Sequence, residues 1–144
     1  FYIPENVYII GTMNDIDRSV DSFDFAMRRR FRFVELRADE RLEMLASLEN
    51  EELEAEAIKR MAALNKEIAN VEDLNENYQI GASYFLKLKT LDFDQLWTDY
   101  LQPLLQEYIQ GMYDEEGIMS RFAKAYGYKK PIEVDADETT QDQG

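Results

Sequence analysis

Val7-Tyr8-Ile9-Ile10-Gly11-Thr12-Met13-Asn14-Asp15-Ile16-Asp17-Arg18-Ser19 runs from an apolar stretch into a polar loop. Residues 7–10 are β-branched or aromatic, without polar alternation, and stop at Gly11. That composition is expected of a strand buried on both faces, as in a parallel sheet. Residues 12–18 follow as a loop, and Ser19 can cap a short helix over residues 20–29. Phe31-Arg32-Phe33-Val34-Glu35-Leu36 again has strand composition. Residues 1–37 therefore predict strand–loop–helix–strand, a βαβ unit that implies a parallel sheet.

Beyond Leu36 the pattern turns helical. Leu42, Leu45 and Leu48 recur every three residues. Leu53, Ala57, Met61, Leu64 and Ile68 recur at three or four, as one face of a helix does. A third stripe holds Trp97, Tyr100, Leu101, Leu104, Leu105 and Tyr108, and a fourth holds Ile118, Met119, Phe122 and Tyr126. Pro103 falls inside the third stripe, where it should kink the helix or begin a new one. Gly111 is expected to stop it. Residues 78–85 have little helical period and predict a structured connection into a short helix or strand around residues 83–88. Residues 131–144 contain five acids and no base, and are expected to be disordered. The expected fold class is thus α/β followed by an all-α lobe, with the boundary near residues 37–39.

Composition narrows the chemistry. Hydrophobic residues make up 45% of the 144, enough for a core, and charged residues 32%. No apolar run reaches the roughly 20 residues of a membrane helix, and no leader pattern opens the chain. Cys and His are both absent, which excludes thiol nucleophiles, Ser-His-Asp triads, disulfides and Cys/His zinc sites. Cysteine absence agrees with a cytoplasmic location. The formal net charge is −14. In residues 1–37 six Arg (18, 28, 29, 30, 32, 37) balance six acids, so residues 38–144 carry all of it. Such a surface repels nucleic-acid phosphates, so any DNA contact is expected through parts outside this chain. There is no initiator Met, and the chain begins close to its first strand signal. It is expected to be part of a longer protein.

Four features could carry chemistry. Asn14 lies just past the end of a strand pattern, at the rim where open α/β folds bind ligands. Its carboxamide can accept from a water and donate to a phosphate without titrating; it could equally cap a turn. Asp17-Arg18 could face a ligand or a neighbouring chain, or form a local pair worth roughly 0–1 kcal/mol. Arg28-Arg29-Arg30 places three guanidinium groups at a helix end, more than dipole compensation requires. They could fork onto phosphate oxygens or form a solvated basic face. Ile80-Gly81-Ala82-Ser83-Tyr84-Phe85 is a tight turn with packing aromatics, or a ligand-facing loop.

The order of these blocks resembles one family. Met13-Asn14-Asp15-Ile16-Asp17-Arg18-Ser19 after an apolar strand resembles the Met-Asn-x-x-Asp-Arg-Ser hallmark of McrB-type AAA+ proteins. Asp24-Phe25-Ala26-Met27-Arg28-Arg29-Arg30-Phe31 is similar to that family's next block, and residues 80–85 are similar to its Ile-Gly-x-Ser-Tyr-Phe lid motif. Pro103-Leu104-Leu105-Gln106-Glu107-Tyr108 resembles its late Pro-Leu-Leu-x-Glu-Tyr helix. The resemblance implies that residues 1–37 are the C-terminal portion of an AAA+ α/β core, 38–130 a helical lid and 131–144 a tail. It implies Asn14 as sensor 1, Asp17 and Arg18 as a signature loop, and Arg29 and Arg30 as arginine-finger candidates, with Arg28 weaker. Gly81 and Ser83 become candidates for nucleotide contact. It further implies GTP or ATP with Mg2+ in an intact parent, a ring that is commonly a hexamer, and a McrC-type nuclease partner. The chain lacks GxxxxGK[ST], a strand ending in Asp-Glu, and an Arg within residues 82–85 that would serve as sensor 2. By itself it is not expected to hydrolyse nucleotide. A non-catalytic helical interaction module and a MoxR-like chaperone ATPase are the alternatives.

Overall fold

The computed structural model describes residues 2–13 and 29–129. Among them there is no strand and no sheet; every regular element is helical. The α/β expectation is therefore corrected. Residues 7–10 and 31–36 lack regular structure, and Tyr8 and Ile10 are 88% and 92% exposed. The cause is physical. A preference for strands is a preference for fitting a pleated, half-buried surface. Among the described residues these runs form no strand ladder, and two short strands do not sustain a sheet. The helix expected over residues 20–29 lies outside the described residues apart from Arg29, and so does the tail at 131–144.

The lobe begins with a 3-10 helix, Leu42–Leu48, entered through Arg41 and left through Glu49, both in the left-handed region (φ 63° and 54°). Its three leucines at three-residue spacing suit a helix of three residues per turn, where i and i+3 eclipse. Leu45 points fully into the core.

Helix α1 spans Glu51–Ala69. Asn50 caps it by accepting from the Leu53 amide at 3.0 Å. Glu51, Glu52 and Glu54 in its first turn and Lys66 in its last suit the helix dipole. Ala57, Met61, Leu64, Asn65 and Ile68 form its buried face. A short 3-10 turn, Glu76–Tyr78, leads to α2 (Ala82–Phe85) and a further 3-10 turn, Leu86–Lys89.

Helix α3 (Phe93–Leu96) opens with a reciprocal capping box between Asp92 and Gln95. It continues through a π-helical turn, Trp97–Leu101, into α4 (Gln102–Ile109). Pro103 accounts for this change. It lacks an amide hydrogen for the carbonyl four residues earlier. The turn widens so that the Gln102 amide reaches back to the Trp97 carbonyl. The expectation of a new helical start at Pro103 is met in this form. The chain leaves α4 through Gly111, at φ +84°.

Helix α5 (Glu115–Tyr126) is capped by Asp114, whose carboxylate accepts from the Gly117 amide at 3.2 Å, and ends at Gly127 with φ +84°. It packs against α1 and α4. Leu45, Phe85, Leu96, Leu101 and Phe122 meet in one core at 0–1% exposure. At about 25 cal/mol per Å² of buried apolar area, such a core is what stabilises the lobe. Among the described residues no helix is long and apolar enough to cross a membrane.

Candidate functional site

The motif at residues 80–85 is held by a buried amide. Asn65 sits on the apolar face of α1, 7% exposed. Its Oδ1 accepts from the Ile80 amide at 2.7 Å, and its Nδ2 donates to the Ile80 carbonyl at 2.8 Å. The carboxamide thus pairs with both polar groups of one peptide position, as a neighbouring strand would. A buried polar group with both partners satisfied specifies position strongly, because losing either leaves an orphan.

With Ile80 pinned, Ile80, Ala82 and Phe85 turn into the core and Ser83 faces outward. The Tyr84 amide donates to the Gly81 carbonyl at 3.2 Å, which closes the turn into α2. Gly81 has an ordinary backbone, and a Cβ there would meet nothing within 4 Å. Neither strain nor crowding within the described residues requires glycine at 81. The open space beside Gly81 and the exposed Ser83 hydroxyl form the free rim of the motif.

The packing reading of this motif therefore holds for Ile80, Ala82 and Phe85, which are buried, while Ser83 is exposed. Asn65 was missed. Its signal was a polar residue inside the apolar stripe between Leu64 and Ile68.

A second constellation fastens the far side of the lobe. The Arg60 guanidinium lies 4.2 Å from the Phe93 ring centre and 5.4 Å from that of Tyr126. Its Nε donates to Glu56 Oε1 at 2.7 Å. That hydrogen bond is the largest influence holding the Glu56 carboxyl below its usual range. Trp97 stacks on Tyr126 at 5.1 Å and on Tyr128 at 5.8 Å. The Tyr126 hydroxyl donates to the Phe93 carbonyl at 2.6 Å, and burial raises its pKa well above the usual phenol value. Arg60 and its rings tie α1, α3, the π turn and α5 together, and this guanidinium is already committed to its own fold.

The sequence-derived site residues separate into groups. Asn14, Asp17, Arg18 and Arg28 lie outside the described residues. Arg29 and Arg30 are exposed in a turn and make no ion pair or hydrogen bond with another described residue. Nothing described brings them to Gly81 or Ser83. A link to the lobe comes instead from Arg37, whose Nη2 donates to Glu76 Oε2 at 2.6 Å, close before the lid motif. Both side chains are largely exposed, so the pair contributes roughly 0–1 kcal/mol.

Residues 56–116 match the family described as McrB, alpha-helical lid domain. The helical lobe is a McrB-type lid. A curated relative, the Type IV methyl-directed restriction enzyme EcoKMcrB subunit of Escherichia coli (strain K12), is 35% identical over 121 residues. That alignment covers 75% of this chain and 26% of the relative, so the chain spans about a quarter of that relative's length. No solved structure matches the chain. The McrB lid match contains Arg60, Asn65 and the whole 80–85 motif. It stops inside α5, before Phe122 and Tyr126. Both are buried, at 1% and 0% exposure, so the folded lobe extends past the matched stretch to the end of α5.

Proposed function

We propose that this chain is the lid-bearing part of a McrB-like AAA+ motor that hydrolyses GTP or ATP, the NTPase subunit of a restriction or related defence system in the cytoplasm. Its support is the lid match over residues 56–116, which falls on a lobe whose 80–85 motif is set by Asn65. A lobe fastened in this way moves as one body, as closure over a nucleotide requires. In this proposal the free rim at Gly81 and Ser83 meets the nucleotide.

Asn14 acts as sensor 1 and orients the attacking water, since its amide donates and accepts without titrating. Asp17 and Arg18 set the loop beside it. Arg29 and Arg30 reach the terminal phosphate of a neighbouring subunit and stabilise charge that develops in transfer. The nucleotide binds with magnesium, which supplies charge neutralisation. This chain's part in hydrolysis is assigned to its amide and guanidinium groups. The partners proposed are further copies in a ring, commonly a hexamer, and a McrC-like nuclease subunit, with DNA bound elsewhere in the parent.

In the intact protein, replacing Arg29 and Arg30 by Ala should lower hydrolysis by about 10³-fold or more while leaving nucleotide binding nearly unchanged. Mixing that variant with one unable to bind nucleotide should restore part of the activity, because each supplies what the other lacks. Absence of rescue at every mixing ratio would overturn the role in trans.

A further inference from the structure

We propose that the cleft between the Glu76–Tyr78 turn and residues 110–113 receives a guanidinium or ammonium side chain from a basic segment of a protein partner. The cleft has a volume of about 770 Å³. Tyr78 and Tyr108 meet there edge to face, 5.0 Å apart and 84° between planes. Asp73 and Glu107 add two carboxylates, and no Lys or Arg lines the cleft. Neither acid has an ion-pair partner among the described residues.

Aromatic faces and unneutralised carboxylates attract the same ligand, a cation with a flat or alkyl body. Residues 38–129 carry 19 acids against 9 bases. The surrounding field therefore draws in a basic segment and disfavours nucleic acid or an anionic membrane.

The rim fits a polypeptide better than a free ion. Tyr113 is 97% exposed. It is displayed between two left-handed residues, Gly111 at φ +84° and Asp114 at φ +61°. A non-glycine residue in that region costs free energy, which the surrounding bonds must offset. Here they do. Glu115 accepts from the Gly111 amide at 2.7 Å and from Gln106 Nε2 at 3.0 Å. The Met112 amide donates to the Ile109 carbonyl at 3.0 Å. The turn is thus set before any partner arrives, and a rigid exposed tyrosine beside a cationic subsite has the makeup of an interface anchor.

The test uses the full chain, isotope-labelled, titrated with an acetylated tetra-arginine amide. Amide shifts should concentrate at residues 73–78 and 107–114. Affinity should fall roughly fivefold when Asp73→Asn and Glu107→Gln are combined, at the strength of one or two exposed ion pairs. Tyr113→Ala should weaken binding further. The Glu51→Gln/Glu52→Gln variant removes the same charge elsewhere and should bind as the parent does. A citrulline version of the peptide should not bind. Shifts spread over the whole acidic lobe, with equal affinity in both double variants, would overturn the proposal. So would the same shifts appearing on concentration without peptide, which would make the occupant a second copy. Because the readout is peptide binding, its failure leaves the nucleotide-motor proposal standing, and the reverse.

Discussion

The leading segment and the helical lobe are both rich in large apolar side chains, yet they end in opposite states. Tyr8 and Ile10 are 88% and 92% exposed, whereas Trp97 and Leu101 are at 1% and 0%. Hydrophobicity alone does not distinguish them. In the lobe, apolar residues recur at helical spacing, and a helix satisfies its own backbone before it packs. In residues 7–10 and 31–36 a strand would need a partner strand's hydrogen bonds, and no strand ladder forms among the described residues. A helical face is thus self-sufficient locally in a way that a strand is not.

The sharpest way to break this contrast is a pair of truncations. Trp97→Ala should destabilise the lobe by about 3–5 kcal/mol, the cost of removing a buried aromatic. Ile10→Ala should stay within about 0.5 kcal/mol. Urea denaturation followed by far-ultraviolet circular dichroism measures both. Comparable losses would mean that the leading segment is packed after all.

A smaller effect is expected where the lobe itself uses a strand-like device. Asn65→Leu should cost about 1–3 kcal/mol by orphaning the Ile80 amide and carbonyl. It should also speed hydrogen exchange at Ile80 more than at Leu64, because α1 keeps its own bonds. Uniform acceleration along α1 would show Asn65 acting as general packing instead of a local clamp.

The smallest effect concerns pH. The Glu56 carboxyl is held low in the folded state, so its contribution is present at neutral pH and lost as pH falls through its folded value. Glu56→Gln should flatten that part of the stability profile and leave the rest unchanged. An identical slope in both proteins would mean that Arg60 is held by Phe93 and Tyr126 alone.

Much of the lobe was legible. The stripes at 53–68 and 118–126 follow helical spacing, and Pro103 and Gly111 mark where α4 begins and ends. The π turn was not legible, because a widened turn depends on what the rest of the helix must satisfy. Nor was the Asn65–Ile80 pairing, which joins positions 15 residues apart through a fold not yet formed. Among the site residues, Gly81 and Ser83 sit at an open rim, while Arg29 and Arg30 are exposed away from any described partner. Sequence order cannot supply such placements, since a loop's position is set by what it packs on.

What the sequence determined by itself is periodic and local: where helices run, which faces are apolar, where caps fall, and which chemistries the absence of Cys and His removes. The tertiary structure decided the rest. It made residues 42–48 a 3-10 helix, turned Arg60 inward onto Phe93 and Tyr126, and left residues 7–10 outside any strand. Helical hydrogen bonds close within a few residues and follow from local pattern, whereas strand pairing, buried amides and cation–aromatic contacts need partners that only the assembled fold brings near.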